Sequence, residues 1–147
     1  MKSVIGKNIT LALYGESHGS AIGVVVDGLP AGIKVDTDFM AQQLDKRKPK
    51  GKISTQRREA DEFAITSGVF NGCTCGTPIH ITMENKTQRS GDYQPNLPRP
   101  SHADYAAHVK YNGFEDYRGG GHFSGRLTAP IVAAGAIAID ILKSKGI

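Results

Sequence analysis

ITLALYGESHGSAIGVVVD, residues 9–27, decides how this chain folds. Residues 9–14 and 21–27 are short β-rich apolar runs on either side of a glycine-bounded GESHGS, and runs of that length bounded by turn residues read as strands. The expectation is a pair of strands with Glu16, Ser17 and His18 in the loop that joins them. Further along, Asp36 or Thr37 can cap a helix reaching about Arg47, with Phe39, Met40 and Leu44 on one face and Pro49 as its stop. Residues 62–70 and 78–84 alternate apolar and polar positions as strands do, and NGCTCGT between them suits a hairpin connection. Residues 85–100 are polar and hold three prolines, which predicts a loop. Ser101 is placed to cap a short helix through about Tyr111. The run 119–121 breaks structure before a last helix over roughly 126–145, where Pro130 fits only in the first turn. Strands in pairs with helices between them predict an α+β fold.

The chain has 147 residues, enough for one domain with its own core. Its 18 glycines approach twice the usual share, so many tight turns are expected. No apolar run reaches the roughly 18 to 20 residues that span a bilayer, and the start of the chain lacks a signal-peptide pattern, which predicts a cytoplasmic protein with no membrane partner. Cys73 and Cys75 are one residue apart, poor geometry for a mutual disulfide and too few ligands for a closed zinc site; two free thiols and no metal follow.

The net charge of +4 is concentrated in KRKPKGKISTQRR, residues 46–58, so an anionic partner is expected there. The segment has no aromatic residue on which a base could stack, which disfavours nucleic acid and leaves a small phosphorylated metabolite as the better fit. A non-catalytic anion- or nucleic-acid-binding module is the rival reading.

Three further stretches bear on chemistry. GESHG satisfies G-x-S-x-G, but a hydrolase nucleophile at Ser17 needs a strand, a sharp turn and then a helix, and a second strand follows here instead. The alternative is that the loop presents His18, whose imidazole can move a proton near neutral pH, although by spacing alone a loop histidine is more often merely solvated or structural. In RPSHADY, residues 99–105, His102 lies close in sequence to Arg99 and Asp104, a cation and a carboxylate able to tune it. RGGGHFSGR, residues 118–126, sets backbone amides, a hydroxyl and Arg126 before a helix, an arrangement able to hold phosphate, although it lacks the third glycine of a dinucleotide fingerprint. His80, in an apolar strand, and His108, on a helix surface, read as structural.

Taken in order, GESHG, DGLPAG (27–32), TQRRE (55–59), SGVFNG (67–72), RPSHADY and RGGGHFSGRLTAPIVAAGAIA (118–138) resemble the chorismate synthase family across nearly the whole chain. The resemblance implies a β-α-β sandwich fold and a lyase that removes phosphate and a ring hydrogen from 5-enolpyruvylshikimate 3-phosphate to give chorismate. It implies reduced FMN as cofactor, NADPH as one source of its electrons, and a homotetramer. His18 matches the histidine thought to protonate the departing phosphate, and His102 the one thought to keep reduced flavin in its required protonation state. Arg47, Arg99 and Arg126 match cations that grip phosphate and carboxylates, a task suited to the guanidinium fork. Lys52 stands where many members have another arginine.

His122, Phe123 and Ser124 stand where many members have Arg-Ser-Ser against the flavin, and only the serine is kept. Members of the family are well over twice as long, and their carboxyl-terminal part carries an acidic catalytic residue and many flavin contacts. The expectation is that residues 1–147 form the amino-terminal portion of a single domain and are inactive alone.

Overall fold

The computed structural model describes residues 3–49 and 59–147. A five-stranded antiparallel sheet runs in the order β1 (Val4–Gly6), β2 (Thr10–Gly15), β3 (Ala21–Asp27), β7 (Ile79–Glu84), β4 (Phe63–Ser67). The expected β2–β3 pair is antiparallel, with Leu13 opposite Val24 and Gly15 opposite Ile22, so GESHGS is its connecting loop. Because strand side chains alternate, Ile22, Val24 and Val26 share one face with Ile79, Ile81 and Met83 of β7, and all six are buried.

Two helices cover that face. α1 (Thr37–Arg47) starts where Asp36 accepts a hydrogen bond from the Phe39 amide, as the cap reading required, and it ends at Lys48, before Pro49. Met40 and Leu44 are buried while Phe39 packs at the edge of the core. α3 (Thr128–Ser144) carries Ala129, Ala133, Ala134, Ala136 and Ile137 into the same core, and its small residues let it lie against both α1 and the sheet. Pro130 falls in its first turn, where its missing amide hydrogen costs nothing. By length and composition Arg118–Ser144 passes as a membrane-spanning stretch, contrary to the sequence expectation. Three consecutive glycines with positive φ interrupt it, and the α3 part has one face in the core.

Three local expectations are corrected. The predicted 62–70 strand stops at Ser67, since Gly68 has φ +83; Val69–Phe70 (β5) and Cys73–Thr74 (β6) then form a separate two-stranded sheet. Asn71 and Gly72 both have positive φ, the backbone that a two-residue hairpin turn needs. Ser101 caps nothing: it has φ +63, and α2 (Asp104–Tyr111) begins three residues later behind Ala103 with no side-chain cap. The last helix starts at Thr128, after a 3-10 turn (Gly125–Leu127) that holds Arg126. β1 is an edge strand too short to carry a sequence signal.

Candidate functional site

Two arginines from opposite ends of the two core helices meet on one carboxylate. Arg47 closes α1, Arg126 precedes α3, and Asp61, almost fully buried, lies between them. Arg126 Nη1 donates to Asp61 Oδ1 and Arg47 Nη1 to Asp61 Oδ2. Arg47 Nη2 also reaches Thr128 Oγ1 at 3.4 Å, and Arg126 Nε donates to Asn85 Oδ1 at 3.1 Å. Two cations against one anion leave one positive charge in excess. Arg47 Nε and Arg126 Nη2 are buried donors with no partner among the described residues. Buried donors are almost always satisfied, so an unpaired guanidinium nitrogen at a cleft marks a place for an anion.

The His18 loop is tied to this cluster. Asn85 directly follows β7 and donates from Nδ2 to the carbonyls of Glu16 (3.1 Å) and Gly19 (2.9 Å). Its amide continues the ladder to Ser20 O, and the Ser17 amide bonds Gly121 O. His18 itself is buried: Nδ1 lies 3.1 Å from Ser90 Oγ, and the ring meets Tyr93 edge-on with centroids 5.0 Å apart. Its other edge presses against Gly119, where a Cβ would come within 2.5 Å of Nε2.

Arg99 makes a fork with Asp104, Nε to Oδ2 at 2.8 Å and Nη2 to Oδ1 at 2.9 Å, and its own amide also bonds Oδ2. Arg99 beside it holds the Asp104 carboxyl below the usual carboxylate range, mainly through the side-chain hydrogen bond and in part against burial. The guanidinium also lies over the Tyr93 ring at 5.1 Å. His102 stays exposed, with Nδ1 3.0 Å from Pro100 O.

These groups surround one cleft of about 680 Å³. Arg47, Arg99, Arg126, His102, Phe123 and Ser124 line it, together with Ser17, Asp61, Tyr93 and Gly119. His18 stands behind Gly119 at its back. His122 is turned elsewhere: Nδ1 meets Gly15 O at 2.8 Å and Nε2 meets Ser3 Oγ at 2.9 Å, on the side of a second depression. Gly119, Gly120 and Gly121, which lead into His122, all have positive φ, and Phe123 beside it borders both depressions. Lys52 and most of the basic stretch lie outside the described residues. His80 and His108 are structural as read, the first stacked on Tyr14 and bonded to Thr66, the second paired with Glu115.

Sequence reasoning passed over Asp61, Asn85, Ser90 and Tyr93. The only advance signal was polar residues at strand boundaries: Asp61 two residues before β4 and Asn85 one after β7.

The chorismate synthase family model matches residues 9–147. The chain is 50% identical over 144 residues to a chorismate synthase of Thermococcus kodakarensis, covering 97% of this chain and 41% of that protein. It is 53% identical over 148 residues to one from Lachnospira eligens, covering 99% and 40%. A crystal structure of chorismate synthase superposes with a TM-score of 0.67 at 29% identity, covering 95% of this chain and 35% of that one. The chain thus spans about two fifths of the length of the curated relatives it matches.

Proposed function

The chain belongs to the chorismate synthase family, and from that premise we propose that it supplies the anion-gripping part of a phosphate lyase acting on 5-enolpyruvylshikimate 3-phosphate. In that reaction the allylic C–O bond to phosphate breaks, a ring carbon gives up a proton, and chorismate forms with no net oxidation. The observation that carries the reading is the cleft itself, where three arginines converge and Arg126 offers a buried nitrogen with no partner among the described residues. Arg47, Arg126 and Arg99 bind and orient the phosphate and carboxylates. Each is anchored beforehand, the first two by Asp61 and the third by Asp104, so little side-chain freedom is lost on binding.

His18 holds the proton for the departing phosphate at Nε2, the edge against Gly119, while Ser90 fixes the ring through Nδ1. The donor set suits FMN in part: Phe123 offers an aromatic face, Ser124 a hydroxyl, and His102 an exposed imidazole on the same cleft. His122 is left out of that set by its bonds to Gly15 and Ser3. When bound, reduced FMN supplies transient electron donation that eases C–O cleavage. NADPH as reductant, a homotetramer and a cytoplasmic location complete the proposal.

The test is anaerobic chorismate formation with reduced FMN. The 147-residue chain is expected to give no turnover, a chain of full family length to be active, and His18→Ala to abolish most of that activity. Full activity without His18 would overturn its role. Ligand binding that falls steeply with salt and ignores His18 and His102 would favour the anion-binding module instead.

A further inference from the structure

We propose that Asn85 is a positioning residue that holds the His18 loop in register with Arg126; the value of that register rests on the lyase reading above. The amide is engaged from both ends: two hydrogens go to the carbonyls of Glu16 and Gly19, and the oxygen takes Arg126 Nε. The partners settle which way the amide faces, because an arginine nitrogen only donates and a backbone carbonyl only accepts. No other side chain of this size does both. Aspartate could still accept from Arg126 but would set a carboxylate against two carbonyls, and leucine could do neither. Asn85 is nearly buried, and its backbone is fixed by the ladder bond to Ser20 O, so the side chain has one place to go.

The consequence is geometric. The acid's loop and the anion's cation come from segments more than 100 residues apart, and the Asn85 amide bonds both directly, beside the backbone bond from Ser17 to Gly121 O. Asp61 anchors Arg126 from its other side without touching the loop. Loss of the Asn85 donors therefore loosens the loop, which the Ser17 amide still ties to Gly121 O, while leaving the cation in place.

Asn85→Asp keeps the acceptor for Arg126 but loses both donors and adds a carboxylate that cancels the cluster's excess positive charge. Hydrogen exchange over residues 16–20 is expected to quicken at least tenfold, and affinity for inorganic phosphate, measured by calorimetry, to fall about tenfold. In the enzyme of full family length kcat should fall on the order of a hundredfold, beyond the roughly tenfold rise in KM that the added charge brings, since a catalytic group displaced by about 1 Å costs that much. A purely structural role would lower kcat no more than it raises KM. Unchanged exchange in the loop, or a fall in kcat no larger than the rise in KM, overturns the proposal. Should wild-type protein of full family length prove inactive, the lyase reading fails, and the exchange and phosphate measurements still judge Asn85. Where Asn85→Asp does not fold, Asn85→Ala should show both faster loop exchange and about tenfold weaker phosphate binding. Ala without either effect also refutes the proposal.

Discussion

Adding one methyl group at Gly119 should damage the protein far more than adding it at Gly120, its neighbour. Both residues have positive φ, +60 and +84, and an L-residue in that region costs about 1–2 kcal/mol. On backbone strain alone Gly120→Ala should be at least as harmful. The surroundings differ. At Gly119 the new Cβ lands 2.3 Å from His18 Cδ2, 2.5 Å from Nε2 and 3.1 Å from Ser17 Oγ; at Gly120 its nearest neighbour is Arg99 Nη2 at 3.5 Å. His18 cannot simply swing away, with Ser90 on one ring nitrogen and Tyr93 against the ring. Overpacking of this kind adds about 1–3 kcal/mol. For a chain of this size each kcal/mol lowers Tm by about 2–4 °C, so Gly119→Ala should melt about 2–12 °C below Gly120→Ala. Paired thermal melts by circular dichroism decide it. Equal Tm values would show that His18 is not lodged against Gly119, and the account of the back of the cleft would fail with it.

Two more substitutions test the charge pairs. Asp61→Ala strands two guanidinium groups without their counter-charge, one of them almost fully buried, and should cost about 3–5 kcal/mol in urea unfolding; a loss under about 1 kcal/mol would mean the cluster is solvated. Asp104 is held charged to lower pH by Arg99 than in the unfolded chain, so its contribution is complete above the unfolded carboxyl's value of about 3.9 and fades as pH falls through the lower folded value. Asp104→Asn should therefore be less stable than wild type at pH 7, with the gap closing as pH falls below the unfolded carboxyl's value. A stability gap that persists unchanged in acid would point to packing instead of charge.

Where signals were local, the fold was legible. The β2–β3 pair is written in two apolar runs around a glycine-bounded loop, and α1 in its Asp36 cap, its apolar face and Pro49. The failures occurred where one polar side chain had a better offer elsewhere. Asp104 closes the 99–104 turn by taking the Arg99 amide and guanidinium, and the helix begins there, so Ser101 is left in a turn with positive φ instead of capping. Gly68 likewise bends the chain out of β4 and hands Val69–Phe70 to a hairpin of its own, which alternation alone could not foretell.

At the site the residue types could be read but not their supports. Arginines and loop histidines announce themselves in a sequence. The carboxylate and amide that aim them do not, because Asp61 lies 65 residues from Arg126 and Asn85 lies 66 residues from the Gly19 carbonyl it holds. His122 shows a different limit. The family motif, from which this chain departs there, left its contact with the flavin open, and in the fold the ring is bonded to Gly15 and Ser3. The motif's own glycines keep His18 serviceable. Gly119 stands between that imidazole and the cleft, and its missing side chain leaves room for the ring edge that carries Nε2. A run of three glycines reads from sequence as a break before a helix, but one of them is required by a neighbour 101 residues away, and only a close approach in space makes that requirement visible.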